Sequence, residues 1–330
     1  TTRGGDMMKL KSVLAAMAVV FAAAPVMAQV KWDLPSGYPA GNFHTKNLMA
    51  FAEDAKKNSG GKLDITVHAN ASLFKVTEIK RAVQTGQVQI GEVLMSSIEN
   101  EIPVFGLDAV PFLASSFGDA RKLYQAQKPI VTRKLDAQGM VLLYAVPWPP
   151  QGLYAAKEIN TAEDLKGTKF RAYNPATARI AELIGAQPVT IQAAELAQAL
   201  ATGVVTTFIT SASTGRDTKV WESLKYFYDV QAWLPKNMIF VSKDALAKLD
   251  APTRKALMDA AVAAEKRGWD MAIEEADGAK AALVKGGMQV LPPSPALQAG
   301  LKKLGDTLTA EWLKKAGADG EEAMKAYKAM

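Results

Sequence analysis

The sequence has 330 residues, of which 49% are hydrophobic and 22% are charged, with a formal net charge of +6. This ordinary globular composition excludes collagen-like, low-complexity and wholly disordered chains, and the length favours two domains over one. The chain contains two histidines and no cysteine, which also excludes thiol nucleophiles, thiolate zinc sites and disulfide frameworks.

Residues 7–28 have the organisation of a Sec-type bacterial signal peptide. Lys9 and Lys11 form a short basic region, residues 13–24 form an apolar run, and Ala28 ends the segment at the expected cleavage point. The apolar run is shorter than the roughly 20 residues that a membrane span requires. We therefore expect cleavage after Ala28 and a soluble periplasmic protein. No run of basic residues is interleaved with aromatic ones, so no nucleic-acid partner is expected.

Helical and strand patterns alternate along the rest of the chain. Apolar residues at helical spacing in 48–55 precede alternating ones in 63–67, and a second helical stripe covers 76–83. Further on, the patterns predict helices at 118–137, 176–184 and 193–202 and strands at 140–146, 168–173, 187–191 and 205–210. Strands separated by helices need crossover connections, so the predicted fold class is α/β with a mostly parallel sheet.

Two proline-containing stretches are predicted to cross between domains. Residues 146–150 cannot form a central strand, because proline donates no ladder hydrogen bond. The second crossing is predicted near Leu234-Pro235. Residues 251–285 are predicted as one helix of about 50 Å, long enough to run along both domains. The predicted division is residues 1–28 for the leader, 29–147 with about 236–265 for one domain, and 148–235 with about 266–330 for the other.

Catalytic patterns are missing from the sequence. Ser211 and Ser213 lack the glycine-flanked elbow of a serine hydrolase. His44 and His68 are expected to be capped surface groups, and their spacing does not fit a metal site. Because glycine-rich phosphate loops are missing too, we expect a protein that is not an enzyme and that has no cofactor.

A binding site is better supported. Arg171 stands inside a predicted strand, which runs through a turn containing Asn174 into a predicted helix. In open α/β sheets, ligands bind at the carboxyl ends of strands, near helix N-termini that favour anions. An arginine there can bind a carboxylate through two parallel N–H···O bonds. The alternative is a surface arginine paired with a nearby acid.

Several further segments of the sequence form a recognisable set. They are Gly37-Tyr38-Pro39 with Gly41-Asn42-Phe43-His44, Pro103-Val104-Phe105, Val110-Pro111-Phe112-Leu113, residues 164–171 and residues 195–205. Together with the leader, these segments resemble the substrate-binding proteins of TRAP transporters, the DctP type. The resemblance covers essentially residues 30–315, and the Arg171 strand and the Ala-Leu-x-x-Gly-Val-Val segment are its more specific parts.

The resemblance implies a two-lobed periplasmic-binding-protein fold, similar to type II, with the long helix spanning both lobes. Such proteins close on an organic acid and deliver it to a sodium-driven membrane permease, and Arg171 matches the arginine that binds the ligand carboxylate. Gln151 stands where a second arginine is often found, which argues against a dicarboxylate or a sialic-acid-like ligand. Thr206-Thr207 replace the usual aspartate-glycine, and Thr210 replaces an asparagine that commonly contacts the ligand.

Aromatic residues supply a further indication of the ligand. Trp148 and Trp233 fall at the two predicted crossings, and Phe43 lies in the first loop. One cation with hydroxyls, amides and aromatic walls suits a monocarboxylate, including an aromatic, hydroxy or keto acid. Arg216 could extend the loop that carries Thr210.

Three alternatives stay open at the level of the sequence. The protein could be a receptor for an ATP-driven importer, a periplasmic enzyme that acts on a carboxylate, or a partner of a chemoreceptor. Within the family the usual oligomeric state is a monomer, which we expect here.

Overall fold

The computed structural model describes residues 29–330, so the predicted signal peptide and its cleavage site lie outside the described residues. The strands are β1 (Val30–Pro35), β2 (Leu63–His68), β3 (Ile90–Leu94), β4 (Met140–Pro147), β5 (Gln151–Ala155), β6 (Lys169–Ala172), β7 (Gln187–Thr190), β8 (Thr207–Ser211), β9 (Tyr226–Tyr228), β10 (Lys236–Ser242) and β11 (Gln289–Leu291). The helices are α1 (Phe43–Asn58), α2 (Val76–Gln84), α3 (Phe117–Asp136), α4 (Pro175–Leu183), α5 (Leu196–Ala201), α6 (Ala212–Asp217), α7 (Lys243–Ala247), α8 (Ala251–Lys285) and α9 (Pro295–Lys328).

The first lobe is built around five strands. β1 and β2 pair in parallel, and β10 lies between β3 and β4, antiparallel to both. α1 packs on β2, and α2 packs on β3. Large aromatic side chains, including Phe51, Phe105 and Phe240, fill the core of this lobe and are fully buried.

The second lobe contains a six-stranded sheet in the order β11-β9-β5-β8-β6-β7. β6 pairs in parallel with β7 and β8, and β11 with β9, whereas β5 is antiparallel to β8 and β9. The α/β class is therefore confirmed. The six-stranded sheet is mostly parallel as predicted, whereas both pairings of the three-stranded sheet are antiparallel. In each lobe one strand, β10 or β5, begins directly after a crossing and runs against its neighbours. The patterning of single elements does not reveal this direction.

The two predicted crossings lie side by side. The Trp148 amide donates to the Pro235 carbonyl at 2.8 Å, and the Gln151 amide donates to the Trp233 carbonyl at 2.9 Å. The first crossing begins later than predicted, since Pro147 still forms the last residue of β4. β4 is an edge strand, where a proline is tolerated. Backbone hydrogen bonds thus join the two segments that connect the lobes.

α8 spans both lobes, as predicted. The Asp250 carboxylate caps its first turn by accepting from the Thr253 amide at 2.7 Å, and Gly286 follows its last residue. Its earlier part packs on α1 and β4 in the first lobe, and its later part packs on α6 and β11 in the second. This confirms the two-lobed architecture with one long helix along both lobes.

α9 also contacts both lobes. Near its start Gly300 lies against Ala162 of the second lobe, and further along the Trp312 indole donates to the Pro103 carbonyl of the first lobe at 2.8 Å. The helix is kinked at Gly317, whose φ of 54° and ψ of −134° are not helical. The lobe boundaries near 236–265 and 266–330 stay predictions, with α9 shared between the lobes.

Candidate functional site

Arg171 is a buried cation on β6. Its side chain is 3% exposed, and its Nε donates to the Ile191 carbonyl at 2.9 Å. Its guanidinium carbon lies 4.8 Å from the centre of the Tyr173 ring. Within residues 29–330, no carboxylate lies within ion-pair distance of Arg171, and its two terminal nitrogens make no hydrogen bond. The alternative prediction for Arg171, a surface arginine paired with a nearby acid, is therefore wrong.

Burial lowers the pKa of Arg171 to about 10. Because this value is still well above 7, the guanidinium is charged at neutral pH. Taking a charge out of water without a partner is costly unless a counter-charge arrives. The two free nitrogens present the donor fork that matches a carboxylate. Arg171 therefore needs a negatively charged partner to balance its buried charge.

A small cavity in front of Arg171 is lined by residues of both lobes and both crossings. Its volume is about 40 Å³, which favours a compact ligand. Its lining combines aromatic rings with hydroxyl and amide groups around a single cation: Tyr38, Val76, Leu94, Ser97, Trp148, Gln151, Arg171, Tyr173, Gln192, Ala193, Thr210, Thr214 and Pro235.

Of the residues predicted to bind ligand, the structure brings Trp148, Gln151, Arg171 and Thr210 together on this cavity. The Gln151 side chain accepts from the Tyr173 hydroxyl at 3.1 Å and donates to a backbone carbonyl. Trp148 forms one wall of the cavity. As ligand contacts these four residues stay predictions, and their placement on one cavity is what supports them.

Asn174, Phe43 and Trp233 do not line this cavity. Asn174 caps α4 by accepting from the Thr177 amide at 2.8 Å, and its amide nitrogen donates to the Ser96 hydroxyl of the first lobe at 2.8 Å. The Phe43 ring packs edge-on against Trp148, with 5.4 Å between ring centres. Trp233 is buried, and its carbonyl holds the first crossing. In this form Asn174, Phe43 and Trp233 therefore contact other residues of the site and do not face the cavity.

The sequence analysis missed Tyr173, Tyr38 and Gln192 as cavity residues. A period of two in a strand would have placed Tyr173 on the same face as Arg171. Gln192 follows β7, whose carboxyl end lies beside that of β6, so the rule that located Arg171 also applies to it. Apart from its place in the Gly-Tyr-Pro segment, no local sequence pattern marks Tyr38 as a cavity residue.

Two other sequence expectations change. His44, expected as a capped surface group, is 2% exposed, and its ring packs against Phe43 and Trp148. Burial lowers its pKa well below the ordinary value, so it is neutral. Arg216 does not reach the cavity, because it pairs with Asp217 at 2.9 Å and Glu275 at 2.5 Å.

Across residues 29–330, no group of three or more histidine, aspartate or glutamate side chains is arranged to hold a metal ion. Over the same residues, none of the helices combines the length and apolar character needed to cross a membrane.

Two lobes joined by paired crossings, with a buried cation facing a cavity between them, define a two-lobed solute-binding protein. Residues 36–315 match the family model of bacterial extracellular solute-binding proteins, family 7, known as DctP. The chain belongs to this family, and it is a periplasmic substrate-binding protein of the TRAP type. The family and periplasmic location predicted from the sequence are thereby confirmed.

Two solved structures are similar over nearly the whole described chain. One is a Bordetella pertussis extracytoplasmic solute receptor binding pyroglutamic acid, 53% identical, covering 91% of this chain and 100% of its own, with a TM-score of 0.90. The other is a marine metagenome TRAP solute binding protein specific for pyroglutamate, 46% identical, covering 92% and 100%, with a TM-score of 0.90. A solute-binding protein of Albidiferax ferrireducens is 24% identical over 305 residues, 90% of this chain and 88% of its own.

Proposed function

We propose that this protein is a monomeric periplasmic receptor that binds pyroglutamate and delivers it to a TRAP-type membrane permease, without chemical conversion. One observation carries the proposal: Arg171 is buried between the lobes with two free nitrogens and no protein counter-ion within residues 29–330. The pyroglutamate ligands of the 53% and 46% identical relatives support the choice of acid.

The chemistry of pyroglutamate suits the lining. Its single carboxylate matches the single cation, Arg171, through two parallel charged hydrogen bonds. Its compact five-membered ring suits the small space beside Trp148 and Tyr38, and its lactam N–H and C=O need polar partners such as Thr210. A second carboxylate would find the neutral amide of Gln151 instead of a cation. This favours a monocarboxylate over a dicarboxylate, as the sequence indicated.

The mechanism depends on closure of the lobes. In the open form the carboxylate would reach Arg171 on the second lobe. Closure then brings the Trp148 wall and the first lobe over the ligand and expels water, which strengthens the charged hydrogen bonds. The Asn174 to Ser96 hydrogen bond joins the lobes in this enclosed form. Release requires reopening, which we assign to contact with the permease.

Calorimetry on refolded protein, which is free of carried-over ligand, tests the proposal. Pyroglutamate should bind, whereas succinate, with a second carboxylate, and proline, without the lactam carbonyl, should bind far more weakly. At 100 times its dissociation constant, pyroglutamate should add about 2.7 kcal/mol to the free energy of unfolding. Absence of pyroglutamate binding would reject this ligand.

Arg171 variants test the site itself. Arg171→Ala should weaken binding by about 100-fold or more, since two charged hydrogen bonds are lost. Arg171→Lys should weaken it less, because it keeps the charge and loses the fork. Arg133, exposed and paired with Glu322, gives the matched control, and Arg133→Ala should bind normally. Unchanged affinity in Arg171→Ala would overturn the proposed site.

A further inference from the structure

Behind the aromatic wall of the cavity lies a fully buried amide, Asn237, the second residue of β10. Its side-chain oxygen accepts two hydrogen bonds, one from the Trp148 indole at 2.9 Å and one from the Tyr38 hydroxyl at 3.3 Å. Its side-chain nitrogen donates to the Glu92 carboxylate at 2.9 Å. Both rings that Asn237 holds line the cavity in front of Arg171.

The Trp148 indole fixes which way the amide faces. An indole N–H only donates hydrogen bonds, so Asn237 has to turn its oxygen toward Trp148 and its NH₂ toward Glu92. The Glu92 carboxyl group is 1% exposed, on β3, and its other oxygen accepts from the Ser36 hydroxyl at 2.5 Å. The reverse orientation would set the indole N–H against the amide NH₂ in the core.

This hydrogen bonding attaches a mobile part of the architecture to a rigid one. Trp148 belongs to the crossing, which has to bend when the lobes move, whereas β10 is the central strand of its three-stranded sheet. Tyr38 comes from the loop after β1. The His44 ring packs on Trp148 from another side, with 4.3 Å between ring centres. One amide thus sets the relative positions of two rings from different segments.

We infer that Asn237 is a positioning residue that fixes the Trp148 and Tyr38 rings at the spacing that a compact cyclic monocarboxylate requires. This rests on the proposed function for the identity of the ligand. Asn237 itself does not line the cavity, so its effect on binding passes through the two rings. A ligand that depends less on the rings should be less sensitive to loss of Asn237.

A double-mutant cycle with pyroglutamate separates positioning from general stability. Asn237→Leu keeps the volume and removes all three hydrogen bonds, and it should weaken binding about tenfold. In a Trp148→Phe background, the same change should weaken binding much less, because the indole N–H that Asn237 holds is already missing. An equal loss in both backgrounds would overturn the inference.

Asn47 provides the matched control. It is 2% exposed and donates to the Ala264 carbonyl at 2.9 Å between α1 and α8, away from the cavity. Asn47→Leu should lower the melting temperature while leaving the dissociation constant unchanged. If Asn47→Leu weakens binding as much as Asn237→Leu, loss of any buried asparagine explains the effect and the inference fails.

Two further measurements keep the inference testable. If Asn237→Leu does not fold, Glu92→Leu replaces it, since it removes the acceptor that holds the Asn237 NH₂. It should show the same coupling to Trp148→Phe, and additivity would contradict the inference. If wild type binds no pyroglutamate, the proposed ligand fails independently. The near-ultraviolet circular dichroism of ligand-free protein then decides, because Asn237→Leu should change the band that Trp148→Phe removes.

Discussion

The amide nitrogen of Asn42 donates to the Asp217 carboxylate at 2.7 Å, which joins the first turn of α1 in one lobe to the end of α6 in the other. The side-chain oxygen of Asn42 meanwhile accepts from the His44 amide at 2.9 Å and caps α1. Asp217 also pairs with Arg216, which contacts Glu275 on α8. The enclosed form is thus held at its edge by a chain of polar contacts that ends on the long helix.

Asn42→Ser should weaken ligand binding through faster dissociation. Serine is as good a helix cap as asparagine, but it is too short to reach Asp217, so the variant removes the contact between lobes and keeps α1. A lost hydrogen bond to a charged group predicts a dissociation rate about tenfold higher. Stopped-flow fluorescence measures this rate, and an unchanged rate would show that the contact does not hold the enclosed form. The ligand-free melting temperature should stay close to that of wild type.

Arg171→Met should stabilise the ligand-free protein while it abolishes binding. A buried charge without a counter-ion opposes folding, and hydrophobic residues that replace buried charges often stabilise by 1 kcal/mol or more. Urea unfolding of refolded protein should therefore show a free energy of unfolding about 1 kcal/mol higher than that of wild type. The exposed Arg133→Met should show no such gain. A destabilised Arg171→Met would indicate that the cation is compensated within the ligand-free protein.

The free energy of unfolding should fall as pH rises from about 5 to about 7. Burial raises the pKa of Glu92 and of Glu99 to about 7 and that of Asp108 to about 6. In the folded state these three carboxyl groups keep protons that the unfolded state has already lost. Buried His44, whose pKa is lowered, acts in the opposite direction but is a single group, so the stabilising contribution of the carboxyl groups is lost as each one ionises. Each group gives a slope of at most about 1.4 kcal/mol per pH unit.

Glu99→Gln isolates one part of this pH dependence. Glu99 is partly buried beside Gly106, so its slope should be smaller than that of a fully buried carboxyl group. Urea unfolding between pH 5 and pH 8 should show a flatter profile for Glu99→Gln than for wild type, and Glu163→Gln, at an exposed position, should leave the profile unchanged. An identical slope in Glu99→Gln would contradict the assignment.

Two glycines in long helices should respond oppositely to alanine. Gly317 has φ of 54° and ψ of −134°, a conformation that side chains disfavour, so Gly317→Ala should destabilise by about 1–3 kcal/mol. Gly278 lies inside α8 with open space around it, so Gly278→Ala should stabilise by about 0.5–1 kcal/mol. Thermal unfolding measures both. Destabilisation by Gly278→Ala would indicate a close contact at that position.

Local signals in the sequence predicted much of the fold. The helix at 251–285 has the predicted bounds, and the structure shows Asp250 capping its start and Gly286 following its end. The strand of Arg171 was predicted because apolar residues flank the arginine and a turn follows. These inferences depend on residues only a few positions apart.

Contacts between distant residues escaped sequence reasoning. Asn42 and Asp217 are 175 positions apart, and Trp148 and Asn237 are 89 apart, so no local pattern connects them. The burial of His44 likewise depends on the approach of Trp148 from another segment. The reversed direction of β10 was not predicted for the same reason, since β10 pairs with strands far from it in the sequence.

The paired crossings restrict how the molecule can move. Backbone hydrogen bonds tie Trp148 to Pro235 and Gln151 to Trp233, so the two segments bend together and shear between them would break both bonds. Bending across this ribbon preserves these hydrogen bonds, so it is the lobe movement that costs the fewest backbone contacts. The long helices α8 and α9, which also contact both lobes, have to follow the same bend.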